Sequence, residues 1–251
     1  MSNPHQLFGY GPRKVICLHG WFGSARGWGP LVEMLDGAAY TYAFMDYRGY
    51  GDAQEMTGNY SIDEIAADVL ALADRLGWQR FSLIGHSMGG MAIQRVLAEA
   101  PERVEKLIAL TPVPANGYPF DEAGYAFFDS AAADPAVRRQ IVDKTTGNRL
   151  TGNWLDQVVA HSLTSSTPQA FGAYLKTWAR SDFSERIKGH PVPIKVIIGE
   201  HDPAINEALV GETFLAWYPN VELDIMGNAG HYPMFETPVA LATSIEKFLA
   251  A

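Results

Sequence analysis

The chain has 251 residues, 47% of them hydrophobic and 19% charged, which suits one α/β domain with an inserted subdomain as well as two independent domains and excludes a disordered or fibrous chain. Acidic residues number 28 against 19 Lys and Arg, a formal net charge of −9. With no long run of like charge, neither nucleic acid nor an anionic membrane is expected as a partner.

The opening segment MSNPHQLFGYGPRK has no apolar stretch of the signal-peptide kind. No part of the chain approaches the roughly 18 apolar residues of a membrane span, so a soluble, cytoplasmic protein is expected. His5 reads as part of a frayed start. Short apolar, β-rich runs then alternate with helical patterns, the signature of a mostly parallel sheet covered by helices. Strands are expected at 14–18, 40–45, 81–84, 106–110, 194–198 and 221–226. Cys17, the single cysteine, lies inside the first of these runs and reads as a buried small residue. Alone, it excludes an internal disulfide framework or a Cys-based zinc cluster. Ser61 and Glu64 have capping-box spacing ahead of Ile62, Ile65, Ala66, Val69, Leu70, Ala73 and Leu76 on one helical face, and Gly77 stops that helix. From 117 to 187 no β run appears. Aromatics are dense there (Phe120, Tyr125, Phe127, Phe128, Trp154, Phe171, Tyr174, Trp178), and Asp134-Pro135, Thr151-Gly152 and Thr167-Pro168 read as helix starts. The expected division is a core of 1–116 and 188–251 with a helical cap at 117–187. Thr237 as N-cap and Pro238 in the first turn open the last helix.

The strand at 81–84 runs into Gly85-His86-Ser87-Met88-Gly89-Gly90, and a helical pattern follows. That is G-x-S-x-G between a strand and a helix, the context in which the motif places a serine on a strained turn at the sheet edge. A serine hydroxyl needs a base to take its proton. Of seven histidines, His19, His86 and His201 compete at the same edge, but His231, in the loop between the last strand and the last helix, is the best placed. The base in turn needs a carboxylate to hold its tautomer. Thr111-Pro112-Val113-Pro114 offers none, whereas Gly199-Glu200-His201-Asp202-Pro203 offers two, with Asp202 preferred and Glu200 the fallback. Oxyanion donors are expected from the backbone N–H of Met88 and of Trp21, in the loop His19-Gly20-Trp21-Phe22-Gly23, where His19 takes a structural role. Trp21, Phe22, Trp28, Phe128, Trp154 and Trp178 are the aromatic candidates for a substrate pocket.

These segments, with Asp46-Tyr47-Arg48-Gly49-Tyr50-Gly51 and Gly230-His231…Pro233, resemble the α/β-hydrolase superfamily across nearly the whole chain. Within it, the resemblance is to small bacterial esterases, cofactor-free haloperoxidase-like enzymes and C–C bond hydrolases. It implies an α/β-hydrolase fold, a mostly parallel sheet flanked by helices with an inserted helical cap, and the chain order Ser87, Asp202, His231 agrees with it. Two departures stand out: Asp52-Ala53 replaces the usual serine or threonine after Arg-Gly-x-Gly, and only about thirteen residues precede the Val15 strand. Ser87 stands where dehalogenases and epoxide hydrolases of this fold carry aspartate, which disfavours both.

The expected activity is that of a cofactor-independent, metal-free serine hydrolase, first a carboxylesterase on small to medium, mainly apolar acyl groups. C–C bond or lactone hydrolysis on the same fold is the alternative. A ligand receptor with a slow hydrolase site is the alternative of another class, and turnover separates the two. A small-molecule substrate and a monomer or small homo-oligomer complete the expectation.

Overall fold

The structure, a computed structural model, describes residues 3–251. Seven strands form one sheet in the order β1-β3-β2-β4-β5-β6-β7. They are β1 (His5–Gly9), β2 (Arg13–Leu18), β3 (Tyr40–Met45), β4 (Phe81–His86), β5 (Val104–Leu110), β6 (Ile194–Gly199) and β7 (Val221–Met226). Every residue of β3 and of β4 is buried, as continuous apolar runs in a sheet covered on both faces require. All pairs are parallel except β1 with β3. The edge strand β1 corrects the sequence expectation, and His5 belongs to it. Its five residues, HQLFG, are partly exposed and carry no apolar run, so its pairing with β3 is what makes it a strand.

Register decides where the loops meet. Leu18 pairs with Gly85, His86 with Leu110, and Gly199 with Met226. The segments after β2, β4, β6 and β7 therefore emerge at one edge of the sheet, where α/β folds bind ligands.

Seven helices of nine residues or more are described: α1 (Ile62–Arg75), α2 (Met88–Glu99), α3 (Glu122–Ser130), α4 (Pro135–Thr145), α5 (Gly152–Ser165), α6 (Pro168–Arg180) and α7 (Pro238–Ala250). Ser61 caps α1 by accepting the Glu64 N–H, while the Glu64 carboxylate accepts the Tyr60 N–H. The helices α3 to α6 fill the stretch between β5 and β6. Each is capped by a side chain, from Asp121, Asp134, Thr151 and Thr167 respectively. The start of α7 differs from expectation: Thr237 precedes it but makes no capping bond, and its Oγ1 is buried without a hydrogen-bond partner.

Arg138 joins these inserted helices from within. It is 1% exposed, lies 3.6 Å above the Phe171 ring, and donates to the Ala131 carbonyl and the Ser162 hydroxyl. The other link is to the core. Trp21 stacks on Phe171 at 4.0 Å and donates its indole N–H to the Phe171 carbonyl at 2.7 Å. Tyr174 packs edge-on to Tyr50 and Tyr60. Aromatic pairs of this kind add about 0.5–1.5 kcal/mol each beyond burial, so the helices are seated on the loops at the sheet edge.

Candidate active site

Between β4 and α2 the chain reverses at Ser87, which adopts φ 54° and ψ −115°. Strain of this kind costs about 1–3 kcal/mol and persists only where the surroundings over-determine it. Here the Ser87 N–H donates to the Leu110 carbonyl, and its carbonyl accepts from Gly90 and Val113. Two glycines make the bend possible. A Cβ at Gly85 would lie 2.2 Å from the Gly89 carbonyl oxygen, and one at Gly89 would lie 2.1 Å from that of Leu18.

His231 faces the same cavity as Ser87. Its Nδ1 lies 2.5 Å from Asp202 Oδ2. Asp202 is 3% exposed, and its other oxygen accepts the N–H groups of Ala204 and Ile205. An acceptor-only carboxylate on Nδ1 fixes the proton there and leaves Nε2 with a lone pair. Glu200 turns elsewhere, accepting the Asn228 N–H with its side chain largely exposed beside His201.

The competing histidines have other work. His86 Nε2 binds the His231 carbonyl at 2.8 Å; burial first, and then the nearby His231, hold its pKa well below the ordinary value. His19 packs at a tilt against Tyr47, ring centroids 4.0 Å apart, and binds the Gly20 carbonyl through Nδ1 at 2.8 Å. Burial pulls its pKa down to about 3, and because a carbonyl oxygen only accepts, the neutral ring carries its proton on Nδ1.

Met88 opens α2, and the first N–H groups of a helix have no partner within it. The loop of Trp21 is braced from below by the 46–51 segment: the Tyr47 hydroxyl donates to the His19 carbonyl and the Tyr50 hydroxyl to that of Trp21. Asp46 accepts the Ala25 and Asp52 N–H groups, and a Cβ at Gly51 would lie 2.0 Å from its Oδ1.

The cavity at Ser87 and His231 holds about 50 Å³. Trp21, Phe22, Phe128 and Trp178 line it, with Val113, Tyr118, Phe120, Ile141, Thr145, Ala204, Ile205 and Tyr232; none of its lining residues is Lys, Arg, Asp or Glu. Trp28 and Trp154 do not reach it. They border a second cavity of about 230 Å³, with Arg26, Gln157, His161 and Phe235, across a wall of Phe22, His86 and Tyr232. Tyr118 and Phe120 were not singled out for the pocket from sequence, although they lie at the start of the aromatic-rich stretch. Tyr232 and Ile205 were not named from sequence either; the one available signal was position, Tyr232 directly after His231 and Ile205 three residues after Asp202. Among the described residues no group of three or more His, Cys, Asp or Glu is arranged to hold a metal ion. No described helix is long and apolar enough to cross a membrane.

Comparison with known proteins gives the family. The 2-hydroxy-6-oxononadienedioate/2-hydroxy-6-oxononatrienedioate hydrolase of Paraburkholderia phymatum is 27% identical over 252 residues, covering 91% of this chain and 84% of that protein. The pimeloyl-[acyl-carrier protein] methyl ester esterase of Serratia marcescens is 26% identical, covering 98% and 97%. A bromoperoxidase structure from Bacillus anthracis superposes with a TM-score of 0.85 at 20% identity, covering 98% of this chain and 95% of that one. The model of the alpha/beta hydrolase fold matches residues 14–238, and the chain belongs to that family.

Proposed function

We propose that the protein is a serine carboxylesterase for short- to medium-chain, mainly apolar acyl esters. One observation carries the reading: a strained serine and a histidine already paired to a buried carboxylate open onto the same apolar cavity. Ser87 attacks the ester carbonyl while His231 Nε2 takes its proton, and the N–H groups of Met88 and Trp21 hold the oxyanion. His231 protonates the leaving alcohol, then activates the water that releases the acyl group. Asp202 keeps the imidazole in register and stabilises its charged form.

The cavity supports the choice of substrate. Its volume of about 50 Å³ lies far below the roughly 300–1,000 Å³ of sites for drug-sized ligands, which favours short acyl chains. The P. phymatum relative is named for a dienedioate, a doubly anionic molecule, whereas no cationic side chain lines this cavity. That contrast favours a neutral ester over a diacid.

The test is kcat/KM across p-nitrophenyl esters from C2 to C16, for the native chain and for Ser87→Ala. Each methylene that fits adds up to ~0.8 kcal/mol of binding, so the profile should rise, then break at short to medium length. A flat profile, a preference for C12 and beyond, or undiminished hydrolysis by Ser87→Ala would refute the proposal.

A further inference from the structure

The loop presenting His231 is held through its backbone, and from two directions. On the core side the His231 carbonyl accepts from His86 Nε2 at 2.8 Å and from the Thr111 hydroxyl at 3.1 Å. On the opposite side the His231 N–H donates to the carbonyl of Thr145, the last residue of α4. The amides flanking His231 converge on a single carboxylate. Gly230 donates to both oxygens of Glu236 at 2.9 Å, and Tyr232 donates to Oε1 at 3.1 Å.

The Glu236 side chain is 2% exposed, and a carboxylate so deep needs an opposite charge as well as hydrogen bonds. That charge comes from outside the core. Arg149, in the segment joining α4 to α5, places Nη1 2.8 Å from Glu236 Oε2. The same guanidinium donates to the carbonyls of Thr146 at 3.1 Å and Asn228 at 2.8 Å. One planar fork thus grips the end of α4, the start of the His231 loop and the carboxylate that clamps it.

We infer that Arg149 and Glu236 form a latch through which the inserted helices set the position of His231. The inference rests on His231 being the base. Glu236 is a positioning residue for the imidazole, and Arg149 makes that positioning depend on α4 being seated against the core. If α4 lifts, Glu236 loses its counter-charge and the loop loses the Thr145 and Arg149 contacts together, so base and helices move as a unit.

The decisive variants are Glu236→Gln, which keeps Oε1 as acceptor for Gly230 and Tyr232 but sets an amide against Arg149, and Arg149→Met, which keeps the apolar stem. Each should lower kcat for p-nitrophenyl acetate, and the rate of fluorophosphonate labelling, by about 10- to 100-fold, the scale of a misplacement near 1 Å. KM should change less than about threefold, the split expected when transition-state geometry and not substrate binding is lost. The double variant should be no worse than the worse single, since both cut one link. Arg149→Lys should recover part of the loss by restoring the charge without the fork. Arg139→Met, which removes an exposed pair with Asp156 between α4 and α5, should leave kcat unchanged.

A thermal shift with kcat within about twofold of native would reduce the pair to a structural brace and overturn the inference, as would additive losses in the double variant. His231→Ala separates the two levels. If it abolishes activity while the latch variants do not, only the latch fails; if it retains activity, the base assignment fails and the latch with it.

Discussion

Replacing His19 should damage catalysis without touching any group that takes part in it. A peptide unit is planar and trans, so the Gly20 carbonyl and the Trp21 N–H point in opposite directions, and pinning the oxygen aims the hydrogen. Two donors pin that oxygen: His19 Nδ1 at 2.8 Å and the Gly23 N–H at 3.0 Å. His19→Leu removes the first, leaves the second, and fills the space beside Tyr47 and Tyr50. Complete loss of one oxyanion donor costs about 10²–10³ in kcat; with one pin remaining, a loss of about 10- to 100-fold is expected. His19→Asn carries an amide N–H where Nδ1 stands and should keep most of the rate. With the imidazole held neutral down to about pH 3 by burial, the deficit should be constant across the neutral and alkaline range. The assay is kcat and KM on p-nitrophenyl acetate beside the thermal midpoint of each variant. A His19→Leu enzyme with native kcat, or a His19→Asn enzyme equally impaired, would refute the reasoning.

His231→Ala should lower kcat by ~10⁴ or more, by analogy with other triads; Asp202→Asn should cost less and Glu200→Gln little, and a larger effect at Glu200 would reassign the acid. Gly85→Ala or Gly89→Ala drives a Cβ to within 2.2 Å or 2.1 Å of a backbone oxygen and should abolish probe labelling and soluble yield. Gly77→Ala, at φ +70° with nothing within 4 Å, should cost only about 1–2 kcal/mol in urea unfolding. Stability should fall on acidification. His19 and His86 are held neutral in the fold, while in the unfolded chain they bind protons below their ordinary pKa of 6.5. The unfolded state thus gains protons first, so stability is full above about pH 6.5 and declines below it by up to about 1.4 kcal/mol per pH unit for each histidine. Asp46, pushed upward by burial, works in the opposite sense but only near the carboxylate range. Urea midpoints from pH 5 to 7.5 that do not fall on acidification would contradict this.

What the sequence revealed follows from where its signals are local. The strands β2 to β7 appear within two residues at each end: β3 and β4 are buried throughout and written as apolar runs, while the edge strand β7, VELDIM, shows instead the apolar–acidic alternation of a half-exposed strand. β1 leaves no such run: its five residues become a strand only by pairing with β3, about 30 to 40 residues away in sequence. Ser87 was legible because an elbow needs glycine on both sides. The pair of Asp202 with His231 was legible because the loop after β6 offers two acids and the loop between β7 and the last helix a single histidine. The Arg149–Glu236 pair spans 87 residues and has no pattern of its own; only the folded loop reveals it. The pocket aromatics divide for a similar reason. Trp28 and Trp154 belong to the same aromatic-rich segments as Phe22 and Trp178, but the wall of Phe22, His86 and Tyr232 decides which cavity each one meets.

The acyl-enzyme itself is the most direct test of the whole account. Rapid acid quenching of the protein with p-nitrophenyl acetate, followed by mass analysis of the peptide containing Gly85-His86-Ser87-Met88-Gly89, should find one acetyl group per chain on Ser87. The group should be absent from Ser87→Ala and form far more slowly in His231→Ala. Hydrolysis that proceeds with no adduct on Ser87, or with the acetyl group on another residue, would contradict it.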